Sequence, residues 1–201
     1  MTAAESKRKF FDQIASQWDS FDEPADATDR RAEFVRLATE HHPLRILDVG
    51  CGTGILVPHL RLCCPHAVIV ELDFSSEMLA ANQMKHGRQQ IEYRCEDLAH
   101  AHLQEASFDV IMFFNALPHF ESLDCILDKA KSLLTQRGRI AVGHLMGSAE
   151  LNAFHASVNG PVSHDRLPSV SELSIEFKKA GLVPLQREER SDWYFVLAEK
   201  P

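Results

Sequence analysis

Short apolar runs alternate with amphipathic stretches along this chain. Runs rich in Val, Ile, Leu and Phe predict strands over about 44–49, 67–72, 91–95, 108–114 and 138–145. The stretches between them space their apolar residues as a helix does. Apolar strands that alternate with helices are typical of a parallel sheet covered on both faces, so the pattern predicts an α/β fold.

Helix signals flank and separate these strands. A capping box, Ser169 with Glu172, precedes the last helix, and Gly181 follows it where glycine commonly ends a helix. After Gly181, two apolar runs at about 182–187 and 193–198 flank a polar turn, which predicts a hairpin and an antiparallel last strand. The predicted helices cover about 4–18, 29–41, 76–86 and 170–180.

Length and composition predict one domain with a core of its own. The chain has 201 residues, of which 45% are hydrophobic, and we expect residues 1–201 to form a single unit. No run approaches the roughly 18 apolar residues of a membrane span, and the N-terminus lacks the apolar centre of a signal peptide. We therefore expect a cytoplasmic protein without a membrane span, either a monomer or a homodimer.

Charge and cysteine content exclude several classes of partner. The net charge is −8 and Lys and Arg form no patch, so we expect no nucleic acid partner. Five cysteines, an odd number, are typical of reduced thiols. Cys63 and Cys64 are adjacent and lack the spacing of a metal or redox motif, which favours ordinary packing.

The stretch from Asp48 to Gly54 says most about a ligand. An apolar strand ends there and is followed by Gly50, Gly52 and Gly54, which leave backbone open to the polar end of a ligand. A dinucleotide fingerprint needs a glycine at position 55, where this chain has Ile55. The turn therefore favours a ligand other than a dinucleotide.

This strand and turn resemble motif I of the class I S-adenosylmethionine (SAM)-dependent methyltransferases, of the type 11 or UbiE-like group that acts on small molecules. The resemblance implies a Rossmann-like fold with a seven-stranded, mostly parallel sheet that ends in an antiparallel hairpin strand. It also implies SAM as cofactor and S-adenosylhomocysteine (SAH) as product. The three glycines would then hold the amino acid end of SAM, and Asp48 its ammonium group.

A second segment resembles the ribose-binding part of the same family. Asp73 and Phe74 open a pattern similar to D-x-S-x-x-M-L at the end of the second strand. A carboxylate at that strand end lies beside the glycine turn and accepts both ribose hydroxyls. Glu71 shares the face of Asp73 and is the alternative, although it falls further inside the strand and would instead cap the sheet edge.

The adenine-binding and following segments resemble the family less closely. The resemblance gives Asp97 and Leu98 to the adenine, with Glu96 as the rival acid. Asn115 belongs to a pattern similar to N-x-L-H-H-F, but Pro118 stands where the first His is expected. The segment also lacks the N-P-P motif of enzymes that methylate nucleobase amines, which favours a small-molecule acceptor.

The N-terminal segment resembles the lid of small-molecule methyltransferases. Residues 1–26 form this predicted lid, in which Trp18 or Phe11 would contact the sulfonium through a cation–π interaction. The same helical spacing also fits an aromatic stripe docked on the core.

Histidine is frequent, with 11 residues, and several follow predicted strand ends. In a parallel sheet these positions converge on one pocket, where a general base would deprotonate a hydroxyl or thiol acceptor. Three histidines could instead bind a metal, but no tight ligand spacing occurs, so we expect none. The predicted catalytic residues are His119 and His144, and the predicted acceptor-binding residues are His155, His164 and Asp165, the last three in an insertion at 147–168.

These observations predict a SAM-dependent methyltransferase that transfers a methyl group by in-line displacement to an O, S, N or C atom of a small acceptor. The alternative is a SAM-binding regulatory or scaffold protein without turnover of its own. The polar pocket residues favour the enzyme.

Overall fold

A computed structural model describes residues 2–21 and 23–201, so Met1 and Asp22 of the predicted lid lie outside the described residues. One seven-stranded sheet has the order β3-β2-β1-β4-β5-β7-β6. The strands are β1 (Arg45–Val49), β2 (Val68–Asp73), β3 (Ile91–Cys95), β4 (Phe108–Phe114), β5 (Leu134–His144), β6 (Val183–Arg190) and β7 (Trp193–Glu199). The α-helices are α1 (Ala3–Ile14), α2 (Ala27–Ala38), α3 (Val57–Cys63), α4 (Ser76–His86), α5 (Leu123–Leu133), α6 (Ser148–Ser157) and α7 (Val170–Lys179).

The strand directions confirm the predicted fold. Strands β1 to β5 pair in parallel, whereas β7 runs antiparallel to both β5 and β6. Every residue of β7 is buried, while the edge strand β6 is mostly exposed. A short hairpin joins β6 to β7, and such a connection requires the two strands to run antiparallel. Because β6 has the same direction as β5, β7 lies between them antiparallel to both.

Both faces of the sheet are covered, as a parallel sheet requires. On one face Leu47 and Val49 of β1 belong to a core cluster with residues of α5 and α7 such as Phe177. On the other face Ile46 of the same strand packs in a cluster with Phe34 of α2 and with residues of α3. Alternate residues of β1 therefore supply both cores.

The observed strands β3 and β4 agree with the predicted ranges, whereas β5 is longer at its start. Its pairing with β4 shifts between Phe108 and Val110, and Arg137 adopts a positive φ of 64°. Four residues, 134–137, are added to the predicted strand, and the three that follow Leu134 are polar, so an apolar pattern did not reveal them. The capping box at Ser169 starts α7 as predicted, and Ser75 caps the start of α4.

The N-terminal helix is docked on the body of the protein. It ends at Ile14, earlier than predicted, and a 3₁₀ helix continues over Ala15–Ser20. Phe11 is buried in a cluster with Met78 of α4. The Ser75 hydroxyl donates to the Asp12 carboxylate at 2.6 Å, which fastens α1 to the start of α4.

The predicted insertion contains a helix, α6, that the hydrophobic pattern did not reveal. Its buried positions are Ser148, Leu151 and His155, which follow helical spacing. Two of the three are polar, so a search for an apolar stripe missed the helix. Among the described residues the longest helices have 12 residues, and none is apolar and long enough to cross a membrane.

Candidate functional site

A cavity of about 360 Å³ lies at the carboxyl ends of β1, β2 and β4. The strand order reverses between β1 and β4, which is where open α/β sheets bind ligands. The cavity is closed on one side by α1 and the 3₁₀ helix that follows it. The predicted site residues that line it are Trp18, Gly50, Gly52, Asp73, Phe74, Asp97, Leu98, Asn115 and His119.

The three glycines of the turn have different surroundings, so a side chain at each position would meet different neighbours. All three adopt positive φ, at 68°, 53° and 79° in chain order. A Cβ on Gly50 would lie 2.6 Å from the Ala116 side chain, and one on Gly54 would lie 2.4 Å from the Asn82 carboxamide oxygen. A Cβ on Gly52 would meet nothing nearer than Trp18, at 4.0 Å. Gly52 is therefore the glycine that leaves backbone open toward the cavity.

Asp73 ends β2 beside this turn. One carboxylate oxygen accepts from the Gly52 backbone N–H at 2.9 Å, and the other accepts from the Ser75 backbone N–H at 2.8 Å. Burial raises the pKa of Asp73 to about 6, although both backbone hydrogen bonds lower it. The two bonds fix the carboxylate at the cavity wall, where it is ionised at neutral pH.

Glu71 and Asp48 lie beneath the turn instead. Glu71 is fully buried on β2, between β1 and β3, so the expectation that it caps a sheet edge is wrong. One of its oxygens accepts from Asn82 Nδ2 at 2.7 Å, while the other oxygen and the Asn82 Oδ1 have no partner. Burial raises the pKa of Glu71 to about 7, and burial followed by repulsion from Glu71 and Asp73 raises that of Asp48 well above its usual range. Neither acid lines the cavity.

Two acids lie at the adenine end of the predicted site. Asp97 Oδ1 accepts from the Ala99 backbone N–H at 3.0 Å and begins a 3₁₀ turn. Glu96 Oε2 accepts from the His102 backbone N–H at 2.9 Å. Both acids line the cavity. Leu98, the residue after Asp97, also lines the cavity and is fully buried in the core.

Asn115 fixes the carboxyl end of β4. Its φ is 55°, a left-handed conformation that Asn tolerates better than most side chains. Its N–H donates to the Gly143 carbonyl at 2.9 Å, and its Oδ1 accepts from the Leu145 N–H at 3.2 Å. These bonds tie the ends of β4 and β5 together at the cavity.

Aromatic rings form the wall of the cavity beneath α1. The Phe11 ring centroid lies 5.9 Å from that of Trp18, 5.9 Å from that of Phe74 and 5.2 Å from that of His119. The predicted aromatic stripe is thus packed on the protein and lines the cavity at the same time.

His119 has a carboxylate partner. Pro118 lies in the 3₁₀ turn Leu117–His119 after β4, which delivers the imidazole to the cavity. His119 Nδ1 lies 2.7 Å from Asp165 Oδ2, and Lys7 Nζ lies 2.6 Å from Asp165 Oδ1. Burial raises the pKa of Asp165, but its hydrogen bonds with His119 and Lys7 hold it below its usual range. Because Nδ1 of His119 is engaged by the Asp165 carboxylate, Nε2 is the ring nitrogen left for another partner.

The other predicted histidines have different environments. Burial, with His119 and His155 nearby, lowers the pKa of His144 to about 3, and its Nδ1 accepts from the Met146 N–H at 3.1 Å. His144 is therefore neutral and carries its proton on Nε2. His155 donates from Nδ1 to the Asp165 carbonyl at 2.9 Å, with its ring 5.8 Å from that of His119. His164 is exposed on the insertion and does not join the cluster.

Over residues 2–21 and 23–201, no three His, Cys, Asp or Glu side chains are arranged to hold a metal ion. All five cysteines are free thiols, and Cys51 and Cys64 are buried.

Residues 47–142 match the family profile described as a methyltransferase domain, type 11. Over these residues the chain is similar to type 11 methyltransferase domains. The match spans the glycine turn, Asp73, Asp97 and His119, whereas Lys7 and Asp165 lie outside it.

The curated proteins that this chain resembles carry names with different methyl acceptors. Malonyl-(acyl-carrier protein) O-methyltransferase of Bacillus cereus is 29% identical over 119 residues, which cover 59% of this chain and 44% of the relative. Demethylmenaquinone methyltransferase of Thermotoga maritima is 29% identical over 143 residues, covering 69% of this chain and 61% of the relative. The chain thus spans about half the length of the curated relatives it matches.

Solved structures share the whole fold. The N-methyltransferase NodS of Bradyrhizobium japonicum, in complex with SAH, superposes with a TM-score of 0.78 at 16% identity and covers 98% of this chain and 99% of its own. A Haloferax volcanii methyltransferase solved with its activator Trm112 gives a TM-score of 0.76 at 15% identity and covers 95% of this chain and 97% of its own. These likenesses show the class I methyltransferase fold.

The cavity at the carboxyl ends of the strands is acidic. Four carboxylate side chains line it, at Asp73, Glu96, Asp97 and Glu121. One lysine, Lys7, also lines the cavity, and its ammonium group forms an ion pair with Asp165. An acid-lined cavity favours a ligand that carries positive charge.

Lys7 was not predicted as a site residue. It is buried on α1, one helical turn before Phe11, within a stripe that points at the cavity. The signal in the sequence was a lysine on the apolar face of an amphipathic helix. Sequence alone could not interpret it, because its partners lie more than one hundred residues away.

Proposed function

We propose that this protein is a SAM-dependent methyltransferase that acts on a small-molecule acceptor. The observation that carries the proposal is the acid-lined cavity at the switch point of the sheet, inside a methyltransferase domain. SAM bears a sulfonium and an ammonium, so an acidic, partly aromatic cavity suits it. When bound, SAM supplies an activated methyl group: the acceptor atom bonds to the methyl carbon in line as the C–S bond breaks and SAH leaves.

The residues that would hold SAM lie along one wall of the cavity. Asp73 would accept the ribose hydroxyls, and the open backbone at Gly52 would take the amino acid end. Asp97 and Leu98 would hold the adenine, with Glu96 beside them. Trp18, Gly50, Phe74 and Asn115 would complete the enclosure, while Asp48 and Gly54 would shape the turn from behind.

His119 would act as the general base. Its Nδ1–H is held by Asp165, so Nε2 is free to accept a proton from the acceptor. This pairing supports an acceptor that loses a proton on methylation, such as a hydroxyl or thiol. His144 would be a hydrogen-bond donor through Nε2–H, because a histidine with a pKa of about 3 is a poor base at neutral pH.

His155 would support His119 from the insertion, whereas His164 has no role at the cavity. The insertion at 147–168 would contribute Asp165 as the partner of the base, a role different from the predicted contact with substrate.

Replacing Asp73 tests the cofactor site. We expect Asp73→Asn to weaken SAH binding about 100-fold or more, because hydrogen bonds to a charged group contribute about 1.5–3 kcal/mol each. Isothermal titration calorimetry measures this, with thermal melting to check folding. Glu77→Gln, an exposed acid on α4, is the matched control and should bind SAH normally. Unchanged binding in Asp73→Asn would remove Asp73 from the site.

Replacing His119 tests the base. After the acceptor has been found by following label from SAM into a metabolite extract, we expect His119→Gln to lower kcat by about 10²–10⁴-fold, because general base catalysis supplies about that much. SAM binding should change little. His66→Gln is the control, since His66 is exposed and precedes β2, at the opposite end of that strand from Asp73. SAH binding without methylation of any metabolite would favour a SAM-binding regulatory protein instead.

A further inference from the structure

Lys7 is the buried lysine of α1. Its relative exposure is 7%, whereas its neighbours Arg8 and Lys9 are exposed. A buried ammonium costs several kcal/mol unless it is paired and hydrogen-bonded, so its partners explain its position. The chain turns this one basic side chain of the helix inward, toward the cavity.

The contacts of Lys7 form a closed ring around His119. Lys7 Nζ donates to the His119 carbonyl at 2.9 Å and lies 2.6 Å from Asp165 Oδ1. The second oxygen, Asp165 Oδ2, lies 2.7 Å from His119 Nδ1. Lys7 thus holds both the backbone of His119 and the carboxylate that orients its imidazole.

A contribution to the stability of the fold does not by itself explain this ring of contacts. Buried ion pairs are often no more stabilising than apolar residues of similar volume, because desolvation offsets their attraction. The ring also joins three separate segments, α1, the turn after β4 and the loop after α6. Its geometry exists only while α1 is docked over the cavity.

Other titratable groups also face His119. His155 of α6 lies beside the His119 ring. A positive charge on His119 lowers the pKa of His144 on β5 and that of Asp73 on β2. None of these is an ion-pair partner of Asp165. Within residues 2–21 and 23–201, one lysine or arginine forms an ion pair with the Asp165 carboxylate, and that residue is Lys7.

We propose that Lys7 is a positioning residue that makes docking of α1 a condition for base catalysis by His119. The proposal rests on the proposed function for its kinetic consequence. When α1 is docked, Lys7 fixes Asp165 and the turn that carries His119. When α1 leaves, both contacts are lost together, so a base aimed at the acceptor exists only in the closed cavity.

Spectroscopy tests the ring without an acceptor. In protein labelled with ¹⁵N-histidine, the His119 Nδ1–H that is held by Asp165 should give a protected downfield proton signal. We expect Lys7→Met to lose this signal to solvent exchange and to raise the hydrogen exchange rate of α1 amides about tenfold or more. Lys7→Arg, which keeps the charge, should retain the signal, and so should Lys9→Met, the control on the exposed face of the same helix.

Kinetics test the consequence for catalysis. We expect Lys7→Met to lower kcat about 100-fold, since a misplacement near 1 Å can cost that much. The KM for SAM should stay within about threefold, and Lys7→Arg should recover part of kcat.

Two results would overturn the proposal. One is a Lys7→Met protein that keeps the His119 signal and the α1 protection of the wild type. The other is a loss of kcat that Lys7→Arg does not restore and that a parallel rise in the KM for SAM accompanies, as simple damage to the cavity would produce. If no metabolite is methylated by the wild type, the proposed function fails, and the spectroscopic result still decides whether Lys7 holds the ring.

Discussion

At the scale of single residues, three carboxylates near the ends of β1 and β2 occupy two different environments. Asp48 and Glu71 are buried beneath the glycine turn, whereas Asp73 is fixed by two backbone N–H groups at the cavity wall. Only the last arrangement leaves an ionised acid beside a ligand. Burial and hydrogen-bond donors, both set by neighbours, therefore separate the acid that faces the cavity from the two beneath the turn.

Glu71→Gln should stabilise the protein at alkaline pH. Burial raises the pKa of Glu71 from 4.5 to about 7, so between these values the folded protein keeps a proton that the unfolded chain has released. The free energy of unfolding therefore falls as pH rises through this window. A Gln amide needs no proton and would donate to the unpartnered Asn82 Oδ1.

We expect Glu71→Gln to raise the free energy of unfolding by on the order of 3 kcal/mol at pH 8 and by much less at pH 5. Urea unfolding at the two pH values measures the difference. Glu77→Gln, at an exposed acid, should show no such dependence. A gain that is equal at both pH values would mean that Glu71 is ionised in the folded protein throughout.

At the scale of elements, the glycine turn both packs against neighbouring segments and leaves backbone open to the cavity. Gly50 and Gly54 are needed because Ala116 and Asn82 pack against them, and Gly52 is open to the cavity. The spacing of the three glycines is visible in the sequence. Their separate reasons are not, because the neighbours come from the turn after β4 and from α4.

Alanine at Gly54 and at Gly52 should therefore fail in different ways. We expect Gly54→Ala to lower the free energy of unfolding by roughly 2–4 kcal/mol, from left-handed strain together with overpacking against buried Asn82. Gly52→Ala should cost only about 1–2 kcal/mol of strain but weaken SAH binding at least about tenfold. Thermal melts and calorimetry on both variants separate the effects. Equal stability losses with equal binding would contradict the assignment.

At the scale of the whole molecule, cofactor binding should stabilise the fold. A ligand at 100 times its Kd adds about 2.7 kcal/mol to the free energy of unfolding. For a chain of this size that corresponds to a rise in Tm of roughly 5–10 °C. We expect SAH to produce this shift and NAD to produce none, as measured by differential scanning fluorimetry. A shift with NAD alone would contradict the interpretation of Ile55.

The local parts of the fold were predictable. Helix caps at Ser75 and Ser169, the glycine turn and the apolar strands all depend on neighbours close in sequence, and the hairpin follows from a short polar turn. The start of β5 and the helix α6 escaped prediction because three of the four added β5 residues and two of the three buried α6 residues are polar, although tertiary pairing or burial holds them.

By itself the sequence determined the class of fold and the type of ligand, because apolar periodicity, caps and the D-x-G-x-G-x-G turn are short-range patterns. Only the tertiary structure decided which acid faces the cavity, which histidine has a carboxylate partner and what Lys7 does. Those roles depend on burial and on hydrogen bonds between segments far apart in the chain, such as Lys7, His119 and Asp165. No local pattern encodes a contact that exists only once the sheet has brought its strand ends together.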